Sequence, residues 1–118
     1  MTNTDVHHGI YKPEELPCTI LSSYTTAPDA NRARRAVWIV HPTYSDGTPS
    51  GRIVRITTDS DSYPRRLTAE VWSPQAGWLA LADNIPAADS FGGGVESARR
   101  FSIDQTLRII EPILDAAH

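Results

Sequence analysis

One cysteine, Cys18, and one lysine, Lys12, stand among 118 residues, and the shortage of each is informative. A single thiol cannot close an internal disulfide. It fits a reducing compartment, where a lone cysteine is most often a small buried apolar residue. No apolar run approaches the ~20 residues that a membrane-spanning helix needs. Residues 1–11 are polar, without the apolar segment or basic start of a secretory signal, so the expected location is cytoplasmic, with no membrane partner. A net charge of −3 provides no field for nucleic acid, and the arginines are not gathered into a dense basic stripe.

Also missing are G-x-S-x-G, H-E-x-x-H, C-x-x-C, the P-loop and the dinucleotide-binding fingerprint. No catalytic residue, metal or cofactor is expected from these patterns; their absence does not exclude an enzyme, since a nucleophile and base can be assembled from distant residues, but the chain reads more as a binding protein. His41, at the end of an apolar run before Pro42, could work with Asp59 or Asp61, although a histidine so placed more often makes an ordinary half-buried hydrogen bond. His7 and His8 are adjacent, so they cannot both face one ion from a regular helix or strand. Asp59, Asp61 and Glu70 have the spacing of calcium-loop positions one, three and twelve. Tyr63 and Pro64 then occupy the places of a ligand and of the sharp-turn glycine, which favours a polar hairpin loop.

Large apolar residues are scarce as well. Leu, Ile, Val and Phe make up 25 of 118 residues, and 13 of the 47 hydrophobic residues are alanine. Trp38, Trp72 and Trp78 therefore carry an unusual share of the burial, on the order of 150–250 Å² each. The length still suffices for one domain that buries roughly 65% of its unfolded surface without a metal or disulfide. Ten arginines against one lysine suit a GC-rich genome, that of a bacterium or a phage, and an accessory protein encoded there.

The patterned part begins at residue 18, which leaves 1–17, with Pro13 and Pro17, as a flexible N-terminal arm and 18–118 as a single α+β domain. Residues 18–25 alternate as a strand, with Cys18, Ile20, Ser22 and Tyr24 on one face. Pro28 to Asn31 form a turn, and Arg32, Arg34 and Arg35 after it read as a solvated edge. Residues 36–41 are nearly continuous apolar sequence, which predicts a central strand covered on both faces. A turn-rich loop over 42–51 leads to a less buried strand at 52–58.

The best-specified stretch is a hairpin, residues 67–82. With Pro74 to Gly77 as a four-residue loop, Trp72 lies opposite Leu79, Val71 opposite Ala80 and Glu70 opposite Leu81. One face then holds Leu67, Ala69, Val71, Trp78, Ala80 and Ala82, and the other holds Thr68, Glu70, Trp72, Leu79, Leu81 and Asp83. Beyond it, Gly92, Gly93 and Gly94 form a flexible connection, possible as a lid, and with Arg99 and Arg100 they could cradle an anionic small molecule. Ser102 to Gln105 has the capping-box pattern and opens a helix. Its stripe is Ile103, Leu107, Ile110 and Leu114, its wet side is Asp104, Arg108, Glu111 and Asp115, and Pro112 kinks or breaks it near Glu111.

The expected fold is a four- to five-stranded antiparallel meander with one C-terminal helix packed on one face. One helix covers only one face, so Trp72, Leu79, Leu81 and Glu70 on the other face point to protein interaction, with another protein or a second copy of the chain. The alternative is a small ligand-binding or catalytic domain that recognises an anionic small molecule at the Gly92–Gly94 loop.

Overall fold

The computed structural model describes residues 16–26, 35–59, 66–87 and 95–116. Five strands, β1 (Cys18–Thr25), β2 (Ala36–Pro42), β3 (Val54–Asp59), β4 (Arg66–Ser73) and β5 (Gly77–Pro86), form one antiparallel sheet in the order β1-β2-β3-β4-β5. The chain then enters helix α1 (Val95–Ile110) and closes with a 3-10 helix, Glu111–Ala116. The fold is an α+β meander with a C-terminal helix.

The core lies between one sheet face and α1. Val40, Val54 and Val71 form one cross-strand row, and Trp38, Ile56 and Ala69 form the next. Ile103, Leu107, Ile110 and Leu114 close over them from the helix. Each large aliphatic side chain buried in this way contributes about 1.5–3 kcal/mol.

The middle strand is β3, not β2. β3 alternates strictly: Val54, Ile56 and Thr58 are buried, while Arg55 and Thr57 face outward and are only half-buried. β2 reads as continuous apolar sequence because its outward residue Val37, at 4% exposure, is as buried as Trp38 on the core side. Covering on both faces is thus seen in a strand that is second from the edge.

Two register details depart from the sequence expectations. In β1 the pairing shifts between Ile20 and Ser22, so Leu21 is an extra residue. Cys18 and Ile20 pair with Pro42 and Val40 on the helix side, whereas Ser22 and Tyr24 pair with Ile39 and Val37 on the other. A bulge of this kind exchanges the faces of everything after it.

The second departure is the β4–β5 hairpin. Its turn is Pro74-Gln75-Ala76, closed by the pair Ser73 and Gly77, so the loop has three residues and not four. Gly77 takes a φ of +80°, the left-handed conformation that a three-residue hairpin loop requires. Ser73 Oγ accepts the Ala76 N–H at 3.2 Å and stiffens the turn. Trp72 consequently faces Trp78, Val71 faces Leu79 and Glu70 faces Ala80. Shortening the loop by one residue turns β5 over, so Leu79 packs against the core and Trp78 joins Trp72 outside. Leu81 sits at a second irregularity, between Ala80 and Ala82, and also packs against the core. The interaction patch expected from Trp72, Leu79, Leu81 and Glu70 therefore loses both leucines.

Helix α1 begins seven residues before Ser102, since no glycine or proline interrupts Val95 to Phe101. Ser102 is a buried mid-helix residue and not a cap, and its carbonyl accepts the Thr106 hydroxyl at 2.9 Å. Asp104, expected to face water, is 4% exposed and holds the exposed Arg108 through Nε at 2.9 Å. Ile113, beside the aliphatic stripe, is exposed. The helix gives way to the 3-10 form at Glu111, as Pro112 requires: its ring removes the N–H that would bond to the Arg108 carbonyl. No helix among the described residues is long and apolar enough to cross a membrane.

Candidate protein-interaction face

Away from the helix, the sheet presents a row that crosses all five strands: Ser22, Ile39, Arg55, Glu70 and Ala80 are successive cross-strand partners. Arg55 and Glu70 are directly opposed. Both Nε and Nη2 of Arg55 reach the same oxygen of Glu70, Oε1, at 2.8 and 2.7 Å. Sharing one oxygen is a looser arrangement than a two-oxygen fork, and it leaves Glu70 Oε2 and Arg55 Nη1 without a hydrogen-bond partner among the described residues.

Next to this row stand Trp72 and Trp78. Their ring centroids are 5.3 Å apart at an interplanar angle of 65°, an edge-to-face pair. The Arg55 guanidinium carbon lies 4.5 Å from the Trp78 centroid, so one cation braces both the carboxylate and the ring. Trp78 is thereby half-buried, while Trp72 keeps 43% of its surface exposed. Beside Trp72 a hollow of about 280 Å³ is walled by Gly51, Arg52, Ile53, Ser73, Pro74 and Gln75.

Of the residues singled out from the sequence, Glu70 and Trp72 are brought together here. Trp78 was missed because its face depends on the hairpin register, and the signal that could have found it is the three-residue Pro-Gln-Ala turn before Gly77; Arg55 was missed because its pairing with Glu70 is set by the β3–β4 register. The proposed glycine cradle, Gly92 to Gly94, lies outside the described residues, as do the Asp61 position, the paired histidines and Arg32 and Arg34. Arg99 lies with its guanidinium carbon 6.0 Å from the centroid of core residue Trp38, and Arg100 is close enough to Cys18 to act on its thiol. His41 Nε2 accepts the Gly51 N–H at 3.1 Å, so the ring fastens the end of the 42–51 loop. No group of three metal-ligating side chains occurs among the described residues.

A second concavity, about 290 Å³, lies between that loop and the chain end, lined by Pro17, Pro42, Tyr44, Leu107, Glu111 and Leu114 among others. Its polar contacts are internal fasteners. Glu111 Oε2 accepts both the Ser45 N–H, at 3.1 Å, and the Ser45 hydroxyl, at 2.9 Å. Tyr44 donates its hydroxyl to Asp115, which holds the phenol above its usual range, and Arg52 approaches the same carboxylate at 3.5 Å. These contacts tie the 3-10 helix to the β2–β3 loop.

The fold and this face define a small α+β meander protein with an aromatic, charge-braced sheet surface opposite its helix. No protein-family model matches the chain, and no curated protein and no solved structure is significantly similar to it.

Proposed function

We propose that the protein is a non-enzymatic protein-interaction module, acting through the sheet face opposite α1 with Trp72 as its anchor. One observation carries this reading. Trp72 is 43% exposed, yet it is held in place by Trp78, which Arg55 and Glu70 hold in turn. A fixed aromatic surface loses little conformational freedom on binding, and tryptophan and arginine are the side chains that most often dominate interface energies. The hollow beside Trp72 is of a size to take one anchoring side chain of a partner. The half-buried thiol of Cys18 agrees with work in a reducing, cytoplasmic setting, as an accessory protein.

A photo-reactive benzoylphenylalanine at position 72, in cells of the organism that makes the protein, tests the reading. A matched probe at exposed Ile113, on the helix side, serves as the control. Protein adducts from position 72 that position 113 does not give are the expected result. Absence of any such adduct at 72 overturns the proposal.

A further inference from the structure

We propose that the occupant of this face is a second copy of the same chain, packed sheet to sheet about a two-fold axis that passes between Arg55 and Glu70. The inference rests on the protein-interaction reading above and names its partner. Two features of the face select it, one of area and one of charge.

The strands have 8, 7, 6, 8 and 10 residues. A two-fold axis between β3 and β4 sets β2 to β5 of one copy over β5 to β2 of the other, and four strands at about 4.8 Å spacing and about 23 Å length give roughly 440 Å² of face in projection. Two such faces in contact remove about 900 Å², and more once side-chain relief is included, the size of a weak, reversible self-association. Two sheets packed at about 10 Å would build the ordinary two-sheet sandwich, with Trp72, Trp78 and Ile39 as its interior.

Charge then distinguishes a second copy from a partner of net charge. Along the row that crosses the sheet the charged members are Arg55 and Glu70, flanked by Ser22 and Ile39 on one side and Ala80 on the other. They cancel, although the chain as a whole carries −3. A neutral row has no excess of either sign with which to choose an acidic or basic partner. It is, however, complementary to itself: a two-fold operation between the opposed residues sets Arg55 of each copy over Glu70 of the other. The Arg55 Nη1 and Glu70 Oε2 atoms, without a hydrogen-bond partner among the described residues, are a donor and an acceptor for that exchange.

The test is charge reversal with mixing, read by sedimentation and light scattering. The parent chain is expected to show twice its 13.0 kDa mass at high concentration. Arg55→Glu gathers four carboxylates, and Glu70→Arg four guanidiniums, about the axis as two facing like-charged pairs, so each alone is expected to raise the dimer Kd at least tenfold. An equimolar mixture of the two is expected to recover the dimer mass as a mixed pair, which no purely structural role of Arg55 would produce. Circular dichroism verifies that both variants fold. Should either not fold, Trp72→Ser gives the same readout without a change of charge and is expected to be monomeric. A parent chain that is monomeric up to about 1 mM overturns the proposal. So do variants that dimerise as the parent does, or a mixture that restores nothing. The probe at position 72 separates this failure from failure of the broader reading. Adducts joining two copies support the dimer; adducts only to a different protein overturn the second copy and leave the interaction face standing; no adducts sink both.

Discussion

Arg55 and Glu70 stand opposite one another on β3 and β4, and the guanidinium that reaches the carboxylate at 2.7 Å also lies over the Trp78 ring. Both ion-pair partners are about 30% exposed, so the pair alone is worth well under 1 kcal/mol. Its contribution comes from doing two things with one planar group. Lysine has a point charge and cannot stack and bond along two N–H directions together. Arg55→Lys is expected to lower unfolding free energy by about 0.5–1 kcal/mol in urea denaturation. An unchanged transition midpoint would show that the brace contributes nothing to stability.

The hairpin register can be tested by a pair of substitutions that the two registers rank in opposite order. Leu79 packs against the core and Ala80 is exposed across from Glu70. Leu79→Lys is therefore expected to cost about 2–4 kcal/mol, because it forces an ammonium toward the core. Ala80→Lys is expected to stay within about 0.5 kcal/mol, with Glu70 as its neighbour. Had the loop four residues, Ala80 would face the helix and the ranking would invert. Chemical denaturation of the two variants decides it.

Period and punctuation made the strands, their order as a meander and the C-terminal helix legible in the sequence. Val54, Ile56 and Thr58 alternate with Arg55 and Thr57, and Ile103, Leu107, Ile110 and Leu114 recur at helical spacing. Register was not legible, because it depends on single residues that leave no mark in periodicity. An extra Leu21 exchanges the faces of β1, and one residue fewer in the turn after Ser73 exchanges those of β5. The site shared that fate. Trp72 and Glu70 lie on a strand whose face its own alternation fixes, whereas Trp78 and Leu79 depend on the turn. Burial of Asp104 was hidden for another reason: a carboxylate with an arginine four positions on reads as a surface pair, and its enclosure comes from tertiary packing that leaves no mark in the local sequence.

Gly77 holds the three-residue turn through a φ of +80°. A Cβ placed there would meet the Trp72 ring at 3.9 Å, an ordinary contact, so space is not the obstacle. Backbone strain is. Gly77→Ala is expected to lower stability by about 1 kcal/mol, and Gly77→Asn by less, since asparagine tolerates the left-handed region better. Thermal unfolding of both variants measures the difference. Equal midpoints for alanine and glycine would argue that the turn can adopt another conformation without loss.

Cys18 offers a chemical readout of how β1 and α1 lie together. Burial pushes its thiol from 9.0 to about 11, the Asp104 carboxylate adds to the rise, and Arg100 opposes it. The thiolate is the nucleophile, so at pH 8 the rise lowers the thiolate fraction of the native chain, and even after the greater nucleophilicity of a more basic thiolate the native chain is expected to alkylate on the order of tenfold more slowly than the urea-unfolded chain, before any steric protection. Asp104→Asn is expected to speed the native reaction and Arg100→Ala to slow it, opposite signs that simple exposure of the sulfur would not produce. The same rise has a consequence for stability. A group whose folded pKa lies above its unfolded value stabilises fully below the lower of the two and loses that contribution as pH climbs through the higher, so Cys18 weakens the fold between about pH 9 and 11. Cys18→Ala should therefore flatten the alkaline limb of the stability profile. A native alkylation rate at pH 8 equal to that of the unfolded chain would mean that the thiol is not enclosed between β1 and the helix.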